Sequence, residues 1–92
     1  VNAGTEIGEN AIINTRAVVE HDCVVGPHAH VAPGAVLCSF VRVDEQGFVG
    51  AGAVVKQGVH IGARSLVGAG SLVLDNVAAN SKVIGSPAAS KK

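Results

Sequence analysis

The sequence predicts an all-β fold, a left-handed parallel β-helix of about four coils, from three observations. An aliphatic residue returns at every sixth position along most of the chain. The residue four places after it is small or β-branched each time. The chain has 12 Gly but only 2 aromatic residues among its 92, so its core must be built from repeated small side chains.

The first position of each hexad is the strongest signal, because it is Val, Ile or Leu in thirteen consecutive hexads without an insertion. These residues are Val1, Ile7, Ile13, Val19, Val25, Val31, Leu37, Val43, Val49, Val55, Ile61, Val67 and Val73. A period of six fits neither an α-helix nor a simple two-sided strand. It is typical of a triangular left-handed coil, in which each hexad forms one short strand and one turn. Three hexads make one coil of 18 residues, and coils stack about 4.8 Å apart.

The remaining hexad positions predict the turns. The fifth position points inward where the coil is narrow, so Cys23 at that position is predicted to be buried. Gly recurs at the second position, and Gly and Asn tolerate the positive φ that tight corners need. The hexads cover residues 1–78, which we predict to be the β-helix. Residues 79–92 are predicted to form a C-terminal cap and tail, because a solenoid end leaves backbone groups unpaired.

The thinness of such a prism predicts an oligomer. A single narrow coil buries too little apolar surface to be stable alone, and its sides are lined with Val and Ala. We therefore expect a homotrimer with parallel axes. The chain does not begin with Met and starts inside the repeat, so we also expect a piece of a longer protein.

Composition excludes several classes of protein. The formal net charge is zero, which predicts no nucleic-acid partner, and no apolar run approaches the roughly 20 residues that cross a membrane. Two cysteines do not form a disulfide framework, so reduced thiols and a cytoplasmic location are predicted. Charge is uneven, however, because residues 47–92 hold a single acidic residue, Asp75, against five basic ones. That half is predicted to meet an anionic ligand.

His21 is the candidate for proton transfer. It is third in its hexad, at a predicted corner, with Glu20 before it and Asp22 after it. A carboxylate beside an imidazole fixes its tautomer and supports a general base. Stacking places Ser39, 18 residues later, directly above His21, so the Ser39 N–H is a candidate donor to an oxyanion.

Other interpretations of these residues stay open. His21 is equally explained as a solvent-facing corner residue, and Ser39 as a nucleophile beside it. A metal site is a further alternative, because His28 and His30 are two residues apart and a trimer could add ligands, as in zinc-dependent carbonic anhydrases of this fold. We expect no metal, since no third converging histidine is evident.

The hexads resemble those of the hexapeptide-repeat acyltransferases, and one segment resembles a narrower group. Residues 14–26, NTRAVVEHDCVVG, are similar to a motif of the sialic-acid O-acetyltransferases and of the bacillosamine-pathway sugar N-acetyltransferases. The following residues 30–35, HVAPGA, and the closing residues 85–88, GSPA, match that group as well. The group usually has Gly-Asn or Gly-Gly where this chain has Ser39-Phe40.

The resemblance implies roles for particular residues. His21 matches the general base, Asp22 the acidic residue that supports it, and His30 the histidine near the acetyl group of acetyl-CoA. Ser39 matches a glycine whose amide faces the thioester oxygen. Acetyl-CoA is therefore the expected co-substrate, and the acceptor is expected to be the amino or hydroxyl group of a sugar, which can be nucleotide-linked.

The resemblance also implies where CoA would bind. Its arm is expected in a groove between subunits, past the Gly50-Ala51 and Gly68-Ala69 turns, with Arg64, Lys82 and the terminal lysines near its phosphates. Members of the group usually carry an N-terminal nucleotide-sugar domain, which this sequence does not include. The alternative is thus a truncated β-helix trimer with a binding or scaffold role and little catalysis.

Overall fold

A computed structural model describes residues 1–90, which form short strands and no helix. The strands are β1 (Glu6–Ile7), β2 (Ile12–Ile13), β3 (Val18–Val19), β4 (Val24–Val25), β5 (His30–Val31), β6 (Val36–Leu37), β7 (Arg42–Val43), β8 (Phe48–Val49), β9 (Val54–Val55), β10 (His60–Ile61), β11 (Leu66–Val67), β12 (Leu72–Val73), β13 (Lys82–Gly85) and β14 (Ala88–Ser90). Within the described range there is thus no helix long and apolar enough to span a membrane.

The strands form three parallel sheets that are the sides of a triangular solenoid. Face 1 contains β1, β4, β7 and β10, and face 3 contains β3, β6, β9 and β12. Face 2 contains β2, β5, β8 and β11, followed by β13 and β14. Stacked partners are 18 residues apart, as in Val18, Val36 and Val54 on face 3. The predicted left-handed parallel β-helix is confirmed.

The core consists of the first and fifth hexad positions, as the repeat predicts. Val25, Val43 and Ile61 are buried in the column behind face 1, and Cys23 is buried at the adjoining corner. Ile7, in the first coil, is partly exposed because little of the chain lies beneath it. The stack of coils measures 35 × 22 × 19 Å.

The corners explain the glycine pattern. A Cβ built on Gly50 would lie 2.6 Å from the Ala69 nitrogen, so the second hexad position takes Gly where two coils approach closely. The fourth hexad position has a positive φ at every corner of residues 1–72, whether or not it is Gly. Its residues are Gly4, Asn10, Arg16, Asp22, His28, Gly34, Phe40, Gln46, Gly52, Gly58, Arg64 and Gly70.

The repeat shortens near the C-terminal end. Val77 pairs with Ile61, which lies 16 residues earlier, and Lys82 pairs with Leu66 at the same spacing. The repeat count places Val77 at a fifth position, whereas the structure places it at a first position. Strand β13 continues face 2 past residue 78, and β14 pairs with it in an antiparallel hairpin. The capping role of residues 79–92 stays a prediction, and Lys91 and Lys92 lie outside the described residues.

Candidate active site

The corner between faces 3 and 1 carries the candidate base, and we call it the His21 corner (residues 20–23, 38–41 and 56–59). His21 Nδ1 donates a hydrogen bond of 2.9 Å to Asp22 Oδ2. Both side chains are half exposed, at 51% and 50%. Because a carboxylate only accepts, it keeps the proton of neutral His21 on Nδ1. Nε2 then carries the lone pair and can accept a proton from a bound molecule.

Only one of the two carboxylates beside His21 contacts it. Glu20 turns away and accepts a hydrogen bond of 3.1 Å from Asn2 Nδ2. The Glu20 carbonyl accepts a second one, of 2.9 Å, from the Thr5 hydroxyl. The structure therefore brings Asp22, and not Glu20, to the imidazole.

Ser39 lies one coil above His21, as the stacking arithmetic predicts. The register is set by the Phe40 N–H, which donates to the His21 carbonyl at 3.2 Å, and by the Gly58 N–H, which donates to the Ser39 carbonyl at 3.1 Å. Within residues 1–90 the Ser39 N–H donates no hydrogen bond, and the Ser39 hydroxyl makes none to His21. An unengaged backbone donor beside a base suits a developing oxyanion.

Phe40 is a residue of this corner that sequence reasoning did not connect to His21. Its ring packs edge-to-face against the His21 imidazole, with centroids 5.4 Å apart and planes at 85°. The side chain is 54% exposed. The signal for this contact was the 18-residue stacking that places residue 40 one coil above Asp22.

His30 lies in a different environment, on face 2. Asn14 Oδ1 accepts from the Thr15 N–H at 2.7 Å, which turns the Asn14 amide nitrogen toward His30. That nitrogen lies 3.4 Å from His30 Nε2. Since the amide nitrogen only donates, His30 Nε2 accepts, and the proton of the neutral ring is on Nδ1. The ring also packs on Phe48, with centroids 4.9 Å apart.

The two candidate histidines lie on opposite sides of one chain. His21 is at the corner between faces 3 and 1, whereas His30 lies in β5 on face 2, the side opposite that corner. A single copy therefore does not bring them together.

The residues expected at CoA border face 2. The corner between faces 2 and 3 contains Gly50-Ala51 and Gly68-Ala69, and we call it the glycine corner (residues 32–35, 50–53 and 68–71). Within the described residues, the N–H groups of Ala51 and Ala69 donate no hydrogen bond. Arg64 is exposed at the other edge of face 2, where its Nε donates to Asn80 Oδ1 at 2.9 Å, and Lys82 is exposed in β13.

Comparisons with known proteins agree with this geometry. Residues 4–39 match a family model described as bacterial transferase hexapeptide, six repeats. The chain belongs to the hexapeptide-repeat transferases.

Solved structures extend the likeness to the whole hexapeptide-repeat chain. It is 46% identical to PerB from Caulobacter crescentus, solved with CoA and GDP-perosamine, at a TM-score of 0.99. That match covers 100% of this chain and 44% of PerB. The acetyltransferase domain of PglB from Neisseria gonorrhoeae, solved with acetyl coenzyme A, is 28% identical at a TM-score of 0.86, over 97% of this chain and 46% of that one. The chain thus spans less than half the length of these relatives.

A third solved structure shows that the likeness is not confined to these two proteins. The hexapeptide-repeat acetyltransferase VCA0836 from Vibrio cholerae is 25% identical at a TM-score of 0.90. That match covers 97% of this chain and 62% of VCA0836.

The other two histidines of the hexapeptide-repeat chain are separate from the His21 corner. His28 is exposed at a corner with a φ of 60°. His60 Nε2 lies 2.7 Å from Asp44 Oδ2, and Arg42 Nε lies 3.3 Å from the other oxygen of Asp44. Sequence reasoning missed this contact, which joins residues of neighbouring coils. Among residues 1–90, no three His, Cys, Asp or Glu side chains are grouped so that they could hold a metal ion.

Proposed function

We propose that this chain is the β-helical part of an acetyl-CoA-dependent acetyltransferase that acts on an amino or hydroxyl group of a sugar. The observation that carries the proposal is the His21 imidazole, held at Nδ1 by Asp22 and open at Nε2, beneath the unengaged N–H of Ser39. The 46% identity to a protein solved with CoA and GDP-perosamine supports it and makes a nucleotide-linked amino sugar the first acceptor to test.

The proposed reaction is a direct transfer without a covalent enzyme intermediate. The acceptor nitrogen or oxygen attacks the thioester carbonyl carbon as His21 Nε2 takes its proton. The new C–N or C–O bond forms, and the carbonyl oxygen becomes an oxyanion that accepts the Ser39 N–H. The C–S bond then breaks, and the proton on His21 passes to the sulfur of CoA. The products are the acetylated sugar and free CoA thiol, and His21 is neutral again.

The proposed site forms between two copies of the chain. Because His21 and His30 lie on opposite sides of one copy, a site that uses both needs a second copy. The outward row of face 3 supports such packing, since it is aliphatic throughout, whereas face 1 carries Arg42 and His60. The face 3 row is Val18, Val36, Val54 and Leu72. We propose a homotrimer, in which face 3 packs against a neighbour and the His21 corner meets the neighbour's face 2.

The proposed position of CoA lies along that boundary. The free N–H groups of Ala51 and Ala69 suit the pantetheine amide carbonyls, and the small side chains leave room for the arm. Arg64 and Lys82 suit the phosphates. The free thiols of Cys23 and Cys38 fit a reducing compartment, so we place the protein in the cytoplasm.

The first experiment is a thiol-release assay with acetyl-CoA and a panel of free and nucleotide-linked amino sugars. Release of CoA that depends on the acceptor supports the proposal. Thermal unfolding with CoA separates the scaffold alternative, because ligand at a hundredfold excess over its Kd adds about 2.7 kcal/mol of stability. A shift with CoA and no turnover with any acceptor would favour a binding role, and neither effect would contradict the proposal.

A second experiment tests the shared site by mixing two inactive chains, His21→Ala and His30→Ala, after unfolding and refolding them together. In a randomly mixed trimer, about a quarter of the interfaces combine an intact His21 with an intact His30 from the neighbour. We therefore expect about a quarter of the wild-type activity to return. No recovery would place both histidines in sites made by one copy, or remove one of them from the reaction.

A further inference from the structure

The fourth hexad positions of the His21 corner form a column along the solenoid. From the N-terminal coil upward it consists of Gly4, Asp22, Phe40 and Gly58. All four have a positive φ, between 59° and 78°. The two middle residues have large side chains, and both contact the His21 imidazole.

The glycine at the bottom of the column leaves room for the carboxylate of Asp22. A Cβ built on Gly4 would overlap Asp22 Oδ1, so no other residue fits there while Asp22 keeps its place. The Asp22 N–H donates to the Ala3 carbonyl at 2.9 Å, which holds the two coils in this register. Gly4 therefore permits the orientation in which Asp22 accepts from His21 Nδ1.

Phe40 is an unusual residue for its position. A φ of 62° is unfavourable for a bulky aromatic side chain, and the ring is not compensated by deep burial, since it is 54% exposed. What the ring does gain is the edge-to-face contact with His21. Asp22 holds one edge of the imidazole, and Phe40 holds the plane of the ring.

We propose that Gly4 and Phe40 are positioning residues that hold the imidazole of His21 with Nε2 open. This inference rests on the proposed role of His21 as the base. Phe40 acts by contact with the ring, and Gly4 acts through Asp22. Neither residue takes part in proton transfer.

The test of Phe40 compares Phe40→Leu with Phe40→Tyr. The ring current of Phe40 displaces the NMR resonance of the His21 Hε1 proton, and we expect Phe40→Leu to remove that displacement. We also expect kcat to fall about 10-fold with an unchanged KM for acetyl-CoA, because the base is less well oriented. Phe40→Tyr keeps the aromatic face and should restore both readouts. If Phe40→Leu instead breaks the oligomer in sedimentation, Phe40 is an interface residue and the proposal is overturned.

The test of Gly4 uses Gly34→Ala as its matched control. Alanine at either site must adopt a φ of about 70°, at 74° for Gly4 and 72° for Gly34, so the backbone strain is the same. At Gly34 the nearest atom to the added Cβ is the Gly52 nitrogen, at an ordinary 3.9 Å, whereas at Gly4 the added Cβ displaces Asp22. We expect both variants to lower Tm similarly, and only Gly4→Ala to move the His21 resonances and lower kcat. Equal effects of the two variants on His21 would overturn the role of Gly4.

These readouts separate the inference from the proposed function. If the parent chain turns over no acceptor while the His21 resonances respond as expected, the proposed function fails and the positioning stands. If Phe40→Leu and Gly4→Ala leave the His21 resonances as in the parent chain, the positioning fails whether or not the chain is active.

Discussion

His21 and His30 present opposite ring nitrogens to their surroundings. His21 is half exposed at a corner and donates from Nδ1 to a carboxylate. His30 is half-buried on a flat face, and its Nε2 accepts from an amide. The partner decides which nitrogen keeps the proton, because the Asp22 carboxylate only accepts and the orientation of the Asn14 amide is set by the Thr15 N–H.

The difference assigns the two imidazoles different tasks. With the proton on Nδ1 in both neutral rings, His21 has an open Nε2 that can accept a proton. The Nε2 of His30 is occupied, so its Nδ1–H is what remains to donate a hydrogen bond. A base and a donor of a hydrogen bond are what an acyl transfer needs on the two sides of its substrate.

Replacing the two histidines separately should give the largest effects. We expect His21→Ala to slow acetyl transfer by roughly 10²–10⁴-fold while CoA binding persists, because the base is lost. His30→Ala should cost about 10-fold to 10²-fold, because a single hydrogen bond to the substrate is lost. Initial rates and isothermal titration with CoA measure both. Full activity of His21→Ala with an inactive His30→Ala would reverse the two roles.

Exchanging the partners should sharpen the comparison further. Asp22→Asn can donate to Nδ1 and so place the proton on Nε2, and we expect a loss of roughly 10-fold to 10²-fold, limited by the exposure of the site. Asn14→Asp should move the proton of His30 to Nε2, because a carboxylate only accepts. Imidazole ¹⁵N shifts report both tautomers directly. A parent chain in which His30 already carries its proton on Nε2 would contradict the assigned amide orientation.

The basic residues test whether CoA lies along the face of His30. Lys82 is on face 2 with His30, and Arg64 is at its edge. We expect Lys82→Ala and Arg64→Ala to weaken CoA binding about 3-fold each at low salt, and less at high salt, because exposed charges are screened. Lys56→Ala, at the His21 corner away from face 2, is the control. Equal affinities across all three variants would move the phosphates elsewhere.

The smallest effect is expected on the inner side of the His21 corner. Burial raises the pKa of the Cys23 thiol above its usual value, and its Sγ donates to the Cys38 carbonyl at 3.1 Å. The folded state therefore holds this proton more tightly, so stability present at neutral pH is lost as the pH rises above about 8.5. Cys23→Ala should cost about 1 kcal/mol or less at pH 7 and remove that alkaline slope. Thermal unfolding from pH 7 to 10 measures it, and an unchanged slope would exclude Cys23 as its source.

The repeat predicts the fold well because a single rule operates along most of the chain. The exception is Val77, where the loss of two residues is hidden because the shortened segment still ends in an aliphatic residue. The same register arithmetic places Ser39 above His21. It could not show that Asp22 rather than Glu20 reaches the imidazole, because that depends on the side-chain rotamer. The contact between Asn14 and His30 was hidden for the same reason.

The 18-residue coil makes this protein a counting device for insertions and deletions. Removing one whole coil would shorten the stack by about 4.8 Å and leave each surviving residue on its own face. Removing a single hexad would preserve the core, since the aliphatic positions stay in phase, yet it would rotate everything beyond the cut by a third of a turn. Lys82 would then leave the face of His30 without any loss of folding. In this protein, length changes that stability tolerates equally well therefore differ in whether the surface keeps its arrangement.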